Sequence, residues 1–236
     1  MPVDNIKRSF ISLVALLCLL ITSHITWASP LQSQNAFAQD VQTPVIPFYP
    51  NKTSKYFINS EMLYIEDPKH TESIETILNY QNEWKEINRN SPNFGFTTTA
   101  YWFKFNINNI SEKNQAIYLE LPIPFLDSIH IFQAKDNNII QHYDLGDQYP
   151  FRHRPIIHQN FVMPFNLLPG INEMYMRVAS AGTVEAPLTL WTPEAHAHSS
   201  SNNNLIQGIW VGILGIMVIY NFLLFLSIRD RSYLYY

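Results

Sequence analysis

Cysteine is almost missing from this sequence. Cys18 is the only one in 236 residues, and it lies inside the first apolar run. Once that run is removed as a signal, neither a disulfide nor a cysteine-based zinc site can form. Lipidation at Cys18 is not expected, because Leu16 and Leu17 before it lack the small side chains that such a site needs. Basic clusters are missing too. Between Ser29 and Gly208 there are 11 Lys and Arg against 17 Asp and Glu, which argues against nucleic acid as a partner, since phosphate binding needs positive charge. Glycine is sparse, with 7 residues, and no phosphate-binding loop occurs. Neither Gly-x-Ser-x-Gly nor His-Glu-x-x-His is present. Glu120, Asp127, Asp144 and Asp147 could be paired on paper as glycosidase carboxylates, but any acidic domain offers as much. No catalytic role and no cofactor are therefore expected.

Long apolar runs are limited to two. The first, Phe10 to Ile21, follows Lys7 and Arg8 and precedes Thr26-Trp27-Ala28. This is the anatomy of a secretory signal, with cleavage expected after Ala28. The second, Ile209 to Ile228, is uncharged and closed by Arg229-Asp230-Arg231. About 20 apolar residues suffice to cross a bilayer, and arginine at that end makes it the cytoplasmic one. Gly208, Gly212 and Gly215 form a small-residue stripe of the kind that lets membrane helices approach. Asn221 is expected to bond a neighbouring helix rather than a ligand.

Between the two runs the pattern is β. Aromatics make up 14% of the chain, and they favour strands. Tyr101, Phe103, Phe105 and Ile107 alternate with Trp102, Lys104 and Asn106. Ile117, Leu119 and Leu121 alternate with Tyr118 and Glu120. Asp136-Asn137-Asn138 reads as a hairpin turn between 130–133 and 139–143, and 71–80 as a helical turn or two. Short strands separated by turn signals predict a β-sandwich or barrel, with no core helix of ordinary length. The expected divisions are a signal peptide over 1–28, a flexible linker over 29–55, a β domain over 56–196, a linker over 197–206, a transmembrane helix over 207–228 and a cytoplasmic stub over 229–236.

Certain stretches stand out as a set: Asp67-Pro68, Phe94-Gly95-Phe96, Tyr101-Trp102-Phe103-Lys104-Phe105, Leu119-Glu120-Leu121, Leu126-Asp127 and Gly146-Asp147. Arg154-Pro155, Asn160-Phe161-Val162, Tyr175-Met176-Arg177-Val178 and the run Pro187 to Pro193 continue it, and Tyr220-Asn221 with Arg229 to Tyr236 closes it. Together they resemble the type 2 extracellular domain and the start of the membrane region of bacterial seven-transmembrane receptors with diverse intracellular signalling modules. The resemblance covers about residues 60–236. It implies a mainly β, jelly-roll sandwich resembling carbohydrate-binding modules, followed by one transmembrane α-helix. It implies a sensory domain in the periplasm of a bacterial inner-membrane receptor, binding a carbohydrate or other small molecule. In that family the later helices lead to a diguanylate cyclase or histidine kinase, so the chain is expected to be a truncated input half. A membrane-tethered interaction module forming a homodimer is the competing expectation.

Candidate ligand contacts concentrate in the polar stretch 151–160. Arg152, Arg154, His158 and Asn160 supply donors beside aromatic residues, which suits a sugar or carboxylated sugar. Asp127 and Arg177 join them, and Trp102 is either a stacking platform or a packing residue. Arg154 could instead pair structurally with Asp127 or Glu120. No metal site is expected. His153 and His158 are an odd number apart and so face opposite sides of a strand, and His196 and His198 sit in a linker without a third ligand.

Overall fold

A computed structural model describes residues 42–50, 52–58, 60–80, 84–87 and 91–234. The signal-peptide expectation and its cleavage site lie outside them. Thirteen strands lie in the described chain. β1 (Val45–Phe48), β2 (Lys55–Ile58) and β3 (Leu63–Asp67) come first, then the short helix α1 (Ile74–Leu78). β4 (Lys85–Glu86), β5 (Asn93–Phe96), β6 (Ala100–Asn109) and β7 (Gln115–Leu121) follow. β8 (Ser128–Lys135) and β9 (Asn138–Leu145) form a hairpin. A 3-10 turn (Phe151–His153), β10 (Phe161–Leu167), β11 (Gly170–Ala179), β12 (Thr183–Glu185) and β13 (Leu188–Trp191) complete the domain, and the long helix α2 (Pro193–Ile228) leaves it.

The strands assemble into a jelly-roll sandwich. The larger sheet runs β4-β3-β6-β11-β8-β9, with β1 added in parallel along the far half of β6. The smaller sheet runs β10-β7-β13-β2, and β5 with β12 makes a separate ribbon. Alternation decides which residues face inward. Tyr101, Phe103, Phe105 and Ile107 of β6 meet Ile117, Leu119 and Leu121 of β7 in one core, with Met174, Met176 and Val178 of β11. Burying such side chains stabilises the fold by about 1.5–3 kcal/mol each. The β8–β9 hairpin closes as its turn residues require: Asp136 and Asn137 both adopt left-handed backbone, with φ of 51° and 60°, as a tight hairpin turn demands.

A second, smaller core lies on the outer face of the larger sheet. Ile74 and Ile77 of α1 close over Ile65, Trp102, Ala134 and Tyr175. Asp67 starts this cover. It is 2% exposed, and its two carboxylate oxygens accept the N–H groups of Thr71 and Glu72 at 2.9 and 3.3 Å. The chain is thereby folded back from β3 toward α1.

Two expected linkers are corrected by the structure. The segment 29–55 is not a tether to its end, because Ile46 and Phe48 of β1 are buried in the main core and β1 pairs with β6. The segment 197–206 is continuous helix within α2. Thr192 caps that helix by accepting the Ala195 N–H at 3.4 Å, and Pro193 occupies its first turn, both favourable at a helix start. Along its apolar length the helix is exposed all round: Trp210, Val211, Ile216 and Val218 point away from any protein packing. A helix apolar on every side and 0% buried over its most apolar window suits lipid rather than a protein core.

Candidate functional site

Three turns and the end of one strand converge at one end of the larger sheet. The Asp67–His70 turn, the 126–128 corner, the 146–148 turn and the end of β11 enclose a cleft of about 430 Å³, lined by His70, Thr98, Asp127, Ser128, Gln148 and Arg177, with Ala179 to Ala181 behind them. The volume is that of an ordinary small-molecule site.

Each polar wall of the cleft is held from behind. His70 adopts a left-handed backbone, with φ of 56°, a conformation that a non-glycine residue keeps only where its surroundings enforce it. Its Nε2 lies 2.7 Å from the Thr98 carbonyl oxygen. A carbonyl only accepts, so Nε2 carries the hydrogen, and Nδ1 accepts from Arg177 Nη2 at 3.2 Å. Arg177 Nε sits 3.9 Å from the buried Asp67 carboxylate. One guanidinium donor is thus bonded to His70 and the buried carboxylate attracts the group from behind, so that it is held at the cleft wall. Asp127 accepts the Ala181 N–H at 2.6 Å. Gly146 has φ of 146°, and a Cβ there would lie 2.0 Å from the Asp127 carbonyl oxygen, so only glycine lets these two corners touch. The Asp147 N–H donates to the Leu126 carbonyl at 2.9 Å and locks them.

Ser128 belongs to a hydrogen-bonded row. His130 Nδ1 approaches Asp144 at 2.6 Å, and His130 Nε2 lies 3.0 Å from Ser128 Oγ. The carboxylate holds the hydrogen on Nδ1, so Nε2 accepts from the serine hydroxyl. The connectivity is that of a nucleophilic triad. An oxyanion hole is another matter: the loop N–H groups of Ala181 and Gly182 are engaged by Asp127 and by Ser180 Oγ. The row positions the serine hydroxyl at the cleft.

Among the residues singled out from sequence, Asp127 and Arg177 meet in this cleft; the others do not. Trp102 is 2% exposed and lies under α1, stacked on Phe132 at 6.1 Å. It is a packing residue, not a platform, because α1 covers the face on which it stands. Arg152 is exposed on the 3-10 turn, away from the cleft lining. Arg154 pairs with neither Asp127 nor Glu120. It donates to the carbonyls of His158, Gln159 and Asn160 at 2.7, 2.8 and 3.4 Å and lies over Phe151 and Phe161, stapling its own loop. Burial lowers its pKa from the ordinary arginine value.

His158 and Asn160 enter a second cluster, on the outer face of the smaller sheet. Asn160 Nδ2 and Trp191 Nε1 each donate to one oxygen of Glu120, at 2.6 and 2.7 Å. His196, in the first turn of α2, packs its ring against Tyr118, Trp191 and His158. It is 6% exposed, and among the described residues its Nε2 has no hydrogen-bond partner. Burial pulls its pKa down, overriding the opposing pull of Glu120. This residue lies well before the apolar run at Ile209. His198 is exposed, because helical geometry separates positions i and i+2.

His70, Thr98, Gln148 and the role of His196 were not found from sequence. The available signal was Asp67-Pro68, whose aspartate builds the turn that carries His70.

No curated protein matches this chain. Solved structures similar to it include a family 35 carbohydrate-binding module from Clostridium thermocellum. It has 11% identity and a TM-score of 0.30, covering 59% of this chain and 98% of that one. Another is CsCBM6-3 from Clostridium stercorarium in complex with cellobiose. It has 10% identity and a TM-score of 0.24, covering 44% of this chain and 84% of that one. These superpositions are loose, and the sandwich is defined by its own hydrogen-bonded sheets. Two family models match the chain: 7TMR-DISM extracellular 2 over residues 59–192, more than half of the chain, and 7TM diverse intracellular signalling over residues 203–236. The β domain thus stands outside the cytoplasm, on a helix that enters a membrane, and the chain belongs to the 7TMR-DISM receptor family.

Proposed function

We propose that the β domain is a periplasmic sensor whose ligand sits in the His70–Arg177 cleft, and that the ligand is a carbohydrate bearing a carboxylate. One observation carries this reading. Four of the stretches that mark the family, Asp67-Pro68, Leu126-Asp127, Gly146-Asp147 and the Arg177 segment, lie far apart in the chain and converge on this one cleft. The guanidinium of Arg177 suits a carboxylate, and a planar fork binds it better than a point charge does. Asp127, Ser128 and Gln148 suit sugar hydroxyls. Phe96 is 86% exposed on the β5–β12 ribbon, whose neighbouring residue Thr97 is hydrogen-bonded to Gly182 beside the cleft. It offers a face on which a sugar ring can stack.

In this reading the protein resides in the bacterial inner membrane and does no chemistry itself. Ligand binding favours one arrangement of the domain relative to its helix, which is all that a ligand can do to an existing equilibrium. The output belongs to a diguanylate cyclase or histidine kinase joined to the membrane region.

The test is thermal unfolding of the full chain in detergent against neutral sugars, uronic acids and simple carboxylic acids. A uronic acid at a hundred times its Kd should stabilise the fold by about 2.7 kcal/mol. Arg177→Ala should abolish that shift, and Gln148→Ala should weaken it. A panel without any shift, or a shift that survives Arg177→Ala, overturns the proposal.

A further inference from the structure

We propose that Glu120, His158 and His196 form a binding site for a divalent transition-metal ion, with Zn2+ the best fit, at the joint between the sandwich and the membrane helix. A ligand-capable atom of each residue lies within 4.8 Å of the other two. They come from three separate parts of the chain: β7, the loop before β10 and the first turn of α2. The cluster is therefore not an accident of local sequence spacing.

The buried imidazole is the independent sign of a missing partner. His196 has nearly all its surface covered, yet its Nε2 meets no donor or acceptor among the described residues. Buried polar atoms are rarely left so. One carboxylate and two imidazoles are a donor set that Zn2+ accepts readily, while Ca2+ and Mg2+ prefer oxygen alone. Glu120 is already supported in the manner of a metal ligand. Asn160 and Trp191 bond its two oxygens, which fixes the carboxylate and leaves one lone pair on each oxygen available.

Loading requires a defined rearrangement. Ligand atoms around tetrahedral Zn2+ lie about 3.3–3.6 Å apart, given bonds of about 2.0–2.2 Å, so the three side chains must rotate inward. The Asn160 N–H donates to His158 Nδ1 at 3.1 Å, so the hydrogen of His158 lies on Nε2, facing Ser200 Oγ at 3.4 Å. Coordination through Nε2 moves that hydrogen to Nδ1 and gives up the Asn160 bond. Ser200 Oγ or a water then completes the fourth position. The ion would tie the foot of α2 to β7 and to the loop that Arg154 staples. This site is independent of the ligand cleft, and neither proposal depends on the other.

The experiment is titration of Zn2+ alone into the full chain in detergent, followed by calorimetry, with Co2+ as an optical substitute. One ion per chain should bind, and Co2+ should give the visible bands of a tetrahedral site, removed by Zn2+. His196→Ala and His158→Ala should each weaken binding by more than the roughly 10–100-fold that losing an outer-shell partner costs. Trp191→Phe should fall within that range, and His198→Ala should change nothing. If His196→Ala fails to fold, His158→Ala and the Co2+ spectrum of the unaltered chain decide. Absence of saturable binding, an octahedral Co2+ spectrum, or loss of binding in His198→Ala but not in His158→Ala overturns the site.

Discussion

Both outer faces of the sandwich are covered by helix, and the two covers differ in chemistry. On the larger sheet, α1 lays Ile74 and Ile77 over Trp102 and Tyr175, and the contact is apolar. Tyr175 keeps its hydroxyl by donating to Glu173 at 2.7 Å, and burial together with that carboxylate raises its pKa. On the smaller sheet, the foot of α2 sets His196 among Tyr118, Trp191, His158 and Glu120. An apolar cover holds one position by shape and volume. A polar cover holds it through hydrogen bonds that protons, ions or a shift of the helix can exchange. The rigid face ends in the cleft proposed for the ligand, whereas the exchangeable face lies where the domain meets its membrane helix. A receptor needs that division: a preformed site at one place and an adjustable joint at another.

The sharpest break of this comparison is at the cleft. Gly146→Ala places a methyl group against the backbone of Asp127, where no side chain can swing away. It should destabilise the fold by more than about 3 kcal/mol, seen as a large fall in the thermal unfolding midpoint of the full chain. A small effect would mean that the 126–128 and 146–148 corners are loose and the cleft is not preformed.

A matched pair of tryptophan substitutions compares the two faces directly. Trp191→Phe removes the Nε1 donor from Glu120 and should cost about 2–3 kcal/mol, as expected for a hydrogen bond to a charged group. Trp102→Phe should cost about 1 kcal/mol or less, because Trp102 Nε1 has no partner among the described residues and only ring volume is lost. Equal costs, measured by the same unfolding experiment, would remove the contrast between a polar and an apolar cover.

A third break concerns the loop that feeds the joint. Arg154→Met keeps much of the packing on Phe151 and Phe161 but releases three carbonyls, and should cost about 1.5 kcal/mol. Arg154→Lys should not fully restore it: one nitrogen, Nη1, serves all three carbonyls, but the flat guanidinium that rests on Phe151 and Phe161 is lost. Full rescue by lysine would show that charge, rather than the stacked plane, holds the loop.

Much of the architecture was legible in the residues. The inward side chains of β6 and β7, the Asp136-Asn137 hairpin turn and the apolar helix all follow from periodicity and turn chemistry, which act over a few residues. Helical structure in 197–206 was hidden by its polar composition, because Ser and Asn favour turns and caps, while the helix is extended from a capped start and an apolar continuation. β1 was hidden among prolines, which an edge strand tolerates.

The site was legible only in part, and for a physical reason. The stretch 151–160 looked like the binding loop because donors and aromatics crowd there in sequence. In the fold those donors are spent on the loop's own carbonyls and on Glu120. The cleft draws instead on residues from 70 to 181. His70 reaches Arg177 only because β6 lies between β3 and β11, and Asp127 reaches them only because β11 pairs with β8. Likewise His196 reaches Glu120 only because the foot of α2 folds back onto β7. Sequence by itself determined the alternating strands, the hairpin turn, the apolar helix and the family. Tertiary structure alone decided which polar side chains meet, because local patterns set the shape of each element while sheet order and helix docking set its neighbours.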